Sequence, residues 1–77
     1  MKVIVYSTPT CPWCDRLKSW LKENKIAFKD IDVATDEKAA QEMIKKSGQI
    51  GVPVTEIDNN IVVGFDVKKL KELLKIK

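Results

Sequence analysis

The chain has 77 residues, of which 32% are charged and 44% hydrophobic, and its formal net charge is +3 at pH 7. This length allows one domain, residues 1–77, and the ordinary apolar fraction excludes a disordered chain. The lysines are scattered and Arg16 is the sole arginine, so we expect no nucleic-acid partner.

The chain opens with a short apolar run, Val3–Tyr6, which is followed by Ser7 and Pro9. A membrane span needs about 20 apolar residues and a signal-peptide core about 7–15, so the run is too short for either. It is typical of a central strand buried on both faces. We therefore expect no membrane association and a cytoplasmic location.

The remaining patterns predict six further elements. In chain order they are a helix with its apolar stripe at Trp13, Leu17, Trp20 and Leu21, an edge-like strand at 26–33, a helix with Thr35 as N-cap and Gly48 as stop, strands at 54–57 and 61–63, and a last helix capped by Asp66. The order β-α-β-α-β-β-α predicts an α/β fold, a four-stranded mixed sheet flanked by three helices. Trp20 is expected in the core rather than at a ligand.

The motif Cys11-Pro12-Trp13-Cys14 lies where the first strand gives way to the first helix. Proline is well tolerated in a first helical turn, so Cys11 is expected at or just before the helix N-terminus. There the unpaired N–H groups and the helix dipole stabilise a thiolate. Cys14, one turn later and partly covered, can attack a mixed disulfide formed on Cys11. The spacing predicts one activated, exposed thiol and one resolving thiol.

Other interpretations of the cysteine pair fit less well. A structural zinc site needs four ligands, and the chain has two cysteines and no histidine. Covalent haem needs a histidine after the second cysteine, where Asp15 stands. A pair of inert buried cysteines fits poorly with a polar loop at the start of a helix. A structural disulfide is also a poor fit, because a disulfide that closes so short a loop adds little to the stability of a fold. We expect no metal and no tightly bound cofactor.

Two further motifs have a structural and a functional interpretation. Val52-Pro53 is consistent with a simple proline at the start of a strand or with a cis peptide bond. Gly64-Phe65-Asp66 can be only a turn, a core side chain and a helix cap. These two motifs follow Val3–Tyr6 and the cysteine motif along the chain, and the four features together span nearly all of it. In this combination and order they resemble the glutaredoxin family of small dithiol proteins.

This resemblance implies a thioredoxin fold and a thiol–disulfide oxidoreductase with Cys11 as nucleophile and Cys14 as resolving thiol. It also implies glutathione as co-substrate, disulfide-containing protein substrates, a monomer, and a role in electron transport and cell redox homeostasis. The substrate or glutathione site that it implies comprises Thr8, Pro12, Trp13, Val52, Pro53, Gly64, Phe65 and Asp66. In it Pro53 is cis, the Val52 backbone pairs with the bound peptide, and Asp66 meets one end of glutathione.

Three positions depart from the family pattern and leave the electron donor open. Thr8 stands where a lysine is frequent, Gly51 where threonine is usual, and Val63 where the family usually has the first glycine of a Gly-Gly pair. Gly64-Phe65 is similar to the redoxins that serve ribonucleotide reductase, which thioredoxin reductase reduces. Lys46 and Gln49 are candidates to replace the missing lysine. A binding module, with an iron–sulfur cluster held by Cys11 of two chains and two glutathione molecules, is a further alternative. Pro12 argues against it because it stiffens the loop and crowds the cluster.

Overall fold

The computed structural model describes residues 2–49 and 51–75, which form four strands and three helices. In chain order these are β1 (Val3–Ser7), α1 (Pro12–Glu23), β2 (Lys29–Asp32), α2 (Glu37–Ser47), β3 (Val54–Ile57), β4 (Asn60–Val63) and α3 (Val67–Leu74). The predicted order of elements is confirmed.

The four strands form a mixed sheet in the order β2-β1-β3-β4. β1 is parallel to β2 and antiparallel to β3, and β3 and β4 form an antiparallel hairpin. All five residues of β1 are buried, as expected for a central strand, and β2 lies at an edge.

Each face of the sheet carries its own part of the core. On one face Leu17 and Leu21 of α1 and Leu70 of α3 pack against strand residues such as Val5. Trp20 is half-buried against this cluster, as predicted. On the other face, side chains of α2, including Met43, cover the rest of the sheet. Helices therefore flank both faces. Across the described residues, no helix is long and apolar enough to cross a membrane.

The strand register brings distant loops together at one end of the sheet. Tyr6 pairs with Val54, so the loop that follows β1 lies beside the residues that precede β3. Val54 also pairs with Val63, so the turn after β4 reaches the same place. Three segments far apart in the sequence thus meet at the start of α1.

The prediction that Thr35 caps α2 is wrong, because Asp36 is the N-cap. The Asp36 carboxylate accepts a hydrogen bond from the Ala39 N–H at 3.0 Å, which satisfies an otherwise unpaired donor of the first turn. The Thr35 hydroxyl instead donates to the Asp32 carbonyl at 3.4 Å, within the preceding turn. Gly48 does end the helix, in the left-handed conformation with φ 76°.

Two strand boundaries also differ from the prediction. β2 comprises only Lys29–Asp32 of the expected 26–33, the residues that stand in register with β1. β4 begins at Asn60 rather than one residue later, since Asn60 pairs with Ile57. The hairpin turn therefore has two residues, and Asp58 takes a positive φ of 55°.

Candidate active site

Cys11 is the N-cap of α1, and its sulfur takes the role that a serine or aspartate oxygen usually has there. The backbone is extended (φ −104°, ψ 104°), and Sγ accepts a hydrogen bond from the Cys14 N–H at 3.1 Å. Pro12 fills the first helical position. The Cys11 N–H in turn donates to the Thr8 carbonyl at 3.3 Å. A negative charge on this partly exposed sulfur is stabilised by the N–H donor and by the helix dipole.

Cys14 is fully buried one helical turn further on. Burial raises the pKa of its thiol to about 12, and a hydrogen bond to Cys11 and the charge of Cys11 act in the same direction. A backbone hydrogen bond from Thr8 and the charge of Lys18 oppose this rise without cancelling it. Cys14 therefore stays protonated at neutral pH, and its S–H group is a hydrogen-bond donor for Cys11 Sγ.

A groove of about 310 Å³ lies beside the pair and is lined by residues of three segments. They are Trp13, Val52, Pro53, Gly64 and Phe65. The Gly64 N–H donates to the Pro53 carbonyl at 2.8 Å, which ties the last two segments together. Across the groove mouth, the Val52 carbonyl oxygen lies 4.0 Å from Cys11 Sγ.

Trp13 and Phe65 give the groove its aromatic walls. Trp13 is 54% exposed, and the Arg16 guanidinium carbon lies 4.7 Å from its ring centroid, a cation–π contact that covers one face of the indole. Phe65 is half-buried and meets Trp20 edge to face, with ring centroids 6.3 Å apart. An apolar wall beside an exposed sulfur is suited to the flat backbone and side chains of a bound peptide.

The structure brings together most of the sequence-predicted site residues, but two lie apart from the groove. The Val52–Pro53 peptide is cis, as the family resemblance implies. The Thr8 carbonyl accepts a hydrogen bond from the Cys11 N–H, but Thr8 lines a separate cavity and not the groove. Asp66 caps α3, with its carboxylate accepting from the Lys69 N–H at 3.1 Å, and does not line the groove.

Lys18 flanks the cysteine motif in the sequence, but sequence reasoning missed the polar network that links it to Asp30 and Ser7. Lys18 Nζ donates to Asp30 Oδ2 at 3.1 Å, and the buried Ser7 hydroxyl donates to Asp30 Oδ1 at 2.7 Å. The bond to Asp30 raises the pKa of Lys18. Burial works to raise the pKa of Asp30, but the bonds from Ser7 and Lys18 outweigh it and hold that pKa below its usual value. The one available signal is the spacing of four residues between Cys14 and Lys18, which puts both on one helix face.

Lys46 does not replace the lysine missing at Thr8. Its Nζ donates to Glu56 Oε1 at 2.6 Å, beside a cavity also lined by Asn59 and Ile61. In the ranges 2–49 and 51–75, no three His, Cys, Asp or Glu side chains are grouped so as to hold a metal ion.

Comparison with known proteins assigns the chain that forms this site to a family. A family model described as Glutaredoxin matches residues 3–62. The chain belongs to the glutaredoxin family. It is 49% identical over 71 residues to the uncharacterized glutaredoxin-like 8.6 kDa protein in the rubredoxin operon of Clostridium pasteurianum, with 92% of this chain and 95% of that protein covered.

A second glutaredoxin relative is glutaredoxin 3 of Escherichia coli strain K12, which is 34% identical over 64 residues, covering 83% of this chain and 77% of that protein. Among solved structures, the T8A mutant of the thioredoxin-like protein BC3987 matches with a TM-score of 0.93 at 36% identity. That match covers 99% of this chain and 97% of the other. The fold is the thioredoxin fold, and because glutaredoxins are thiol–disulfide oxidoreductases, this chain is an enzyme of that class.

Proposed function

We propose that this glutaredoxin reduces protein disulfides or glutathione mixed disulfides, with Cys11 as nucleophile and Cys14 as resolving thiol. The Cys11 thiolate attacks one sulfur of the substrate disulfide, forms a mixed disulfide and releases the other sulfur as a thiolate. Cys14 then attacks Cys11, forms the Cys11–Cys14 disulfide and releases the second substrate thiol. A reductant supplies two electrons to reopen that disulfide.

The observation that carries this proposal is the asymmetry of the two sulfurs. Cys11 Sγ is partly exposed and accepts the Cys14 N–H at the N-terminus of α1, while Cys14 is buried with a raised pKa. A nucleophile needs access and a stabilised negative charge, and a resolving thiol needs to stay protonated until the mixed disulfide forms. The two environments match these two tasks.

The groove supports a peptide disulfide as substrate. Its Trp13 and Phe65 walls stand beside the Cys11 sulfur, and the Val52 backbone flanks that sulfur at the position where an extended peptide can pair.

For glutathione as co-substrate, we propose that Gly64 and Asp66, at the N-terminus of α3, meet its charged γ-glutamyl end. In this proposal the protein acts as one domain and as a monomer in the cytoplasm, without a tightly bound cofactor, in electron transport and redox homeostasis.

Thioredoxin reductase is the second candidate for the electron donor. Position 8, where a lysine would meet glutathione, carries a threonine that lines the cavity behind the loop rather than the groove. Lys46 pairs with Glu56, beside a cavity that includes none of the groove residues, and does not replace that lysine. These features favour a protein reductase, which needs no charge-assisted contact with a glutathione carboxylate, and the natural target would then be a ribonucleotide reductase.

Two parallel assays test the proposal and separate the donors. NADPH oxidation is followed with hydroxyethyl disulfide as substrate, once with glutathione and glutathione reductase and once with thioredoxin reductase. Activity in the first assay supports glutathione as co-substrate, and activity only in the second supports the protein reductase. Cys11→Ser is expected to abolish turnover in both, and Cys14→Ser is expected to retain only a glutathione-dependent route. Unchanged turnover of Cys11→Ser would overturn the mechanism.

A further inference from the structure

A cavity behind the active-site loop contains a polar network that the proposed mechanism does not yet use. The cavity measures about 240 Å³ and is lined by Ser7, Thr8, Pro9, Lys18, Asp30 and Asp32. Asp30 of β2 links the Lys18 ammonium of α1 to the buried Ser7 hydroxyl of β1. The long, flexible Lys18 side chain is thereby held in one place, with only 22% of its surface exposed.

The lysine held in this way lies one helical turn beyond the resolving thiol. Lys18 follows Cys14 by four residues on α1, so the two side chains share one helix face. The positive charge of Lys18 and the backbone of Thr8 both act to lower the pKa of the Cys14 thiol, against the larger effect of burial. Thr8 and Lys18 both line the cavity, which shares no lining residue with the substrate groove.

We propose that Lys18, positioned by Asp30, promotes the resolving step by stabilising the Cys14 thiolate that attacks the mixed disulfide. This inference rests on the roles proposed above for Cys11 and Cys14. Lys18 remains an ammonium throughout and acts by its charge, so it is a positioning and electrostatic residue rather than a proton acceptor.

The state of Cys11 explains why Lys18 matters at this step. Before reaction, the hydrogen bond and charge of Cys11 both oppose a thiolate at Cys14. In the mixed disulfide, the Cys11 sulfur is bonded to a substrate sulfur and carries no charge, so both effects disappear. Burial still opposes ionisation of Cys14, and Thr8 and Lys18 favour it. At this step Lys18 therefore increases the amount of Cys14 thiolate available for the attack.

The atoms and electrons of the step balance without a further reactant. Cys14 loses its proton to solvent, and its thiolate attacks Cys11 Sγ. The Cys14–Cys11 bond forms while the bond from Cys11 to the substrate sulfur breaks, and the electron pair of that bond leaves with the substrate as a thiolate, which takes up a proton. Over both steps the enzyme dithiol is oxidised by two electrons and the substrate disulfide is reduced to two thiols.

Other charged groups lie near members of the network but have no described effect on Cys14 itself. On α1, Asp15 acts on Lys18, and Lys22 acts on Asp30 from one turn beyond. On β2, Asp32 lines the same cavity. Lys22 is exposed and has no described effect on Cys14, so it provides a matched control on the same helix.

Reaction of the reduced protein with the aromatic disulfide 5,5′-dithiobis(2-nitrobenzoate) separates the two steps. The first thionitrobenzoate released, followed at 412 nm, reports attack by Cys11, and the second reports attack by Cys14 on the mixed disulfide. For Lys18→Gln we expect the second phase to slow roughly tenfold at neutral pH, because the thiolate fraction falls when the nearby charge is removed. The first phase is expected to stay within about twofold of wild type, since the charge of Lys18 acts on Cys14, one helical turn away, and Cys11 is farther along the chain.

Three comparisons make the result decisive. Lys18→Arg keeps the charge and is expected to restore the second phase, and Lys22→Gln is expected to leave both phases unchanged. The pH profile of the second phase is expected to move to higher pH in Lys18→Gln, which a merely structural role would not cause. If the second phase of Lys18→Gln has the same rate and the same pH profile as that of wild type, the inference is overturned. Failure of the proposed function would look different, because Cys11→Ser would then still show the first phase.

Discussion

The unequal environments of the two cysteines predict selective alkylation of Cys11 in the folded, reduced protein. Alkylation by iodoacetamide requires a thiolate. With a pKa of about 12 in place of the ordinary 9.0, the Cys14 thiolate fraction at pH 7 falls about 1000-fold below that of an ordinary thiol. Its exposed fraction of 0% slows the reagent further. We therefore expect one alkyl group per chain, on Cys11, with Cys14 at least 1000-fold slower than a free cysteine.

The assay is mass spectrometry of the intact protein over time, followed by fragmentation of the tryptic peptide that carries both cysteines, residues 3–16. Alkylation in concentrated guanidinium chloride is the control, because unfolding removes the burial and both cysteines then react. Modification of Cys14 within about tenfold of the Cys11 rate in the folded protein would refute the reasoning, since burial could not then hold the thiol in its protonated form.

Three predictions concern stability. The buried Thr55 hydroxyl has no hydrogen-bond partner, so Thr55→Val is expected to raise the free energy of unfolding in urea by about 1–2 kcal/mol; a decrease would indicate a satisfied hydroxyl. Gly48 has a φ of +76°, so Gly48→Ala is expected to cost about 1–2 kcal/mol in the same measurement. Gly51→Ala, without a positive φ, is expected to cost much less, and equal losses would contradict the backbone argument. Burial acts to raise the pKa of Asp30, but hydrogen bonding outweighs burial and lowers that pKa in the folded protein. The contribution of Asp30 to the free energy of unfolding is therefore present above about pH 3.8 and is lost as the pH falls below that value. Because Asp30 is 43% exposed, its contribution is less than about 1 kcal/mol, and Asp30→Asn is expected to flatten the acid limb of melting temperature against pH; an unchanged limb would contradict this.

The sequence by itself determined the features that depend on neighbours along the chain. The apolar run of β1, the helix stripe of α1 and the capping residue Asp66 all follow from patterns within a few residues, and each was predicted. The position of Cys11 at a helix N-terminus belongs to the same class, since Pro12 alone indicates where the helix starts. The wrong choice of Thr35 as the N-cap of α2 also has a local cause. Thr35 and Asp36 are adjacent and both are good capping residues, so only the backbone conformation selects one.

Only the tertiary structure decided which residues share the site. The groove joins Trp13, Val52 and Gly64 because the register of β1, β3 and β4 brings three loops to one end of the sheet. The same is true of the link from Lys18 to Asp30, which exists because β2 pairs in parallel with β1 beside α1. Local patterns carry no information on register, since it is fixed by contacts between residues far apart in the chain. The sequence therefore defines the two reactive sulfurs, and long-range packing defines their surroundings.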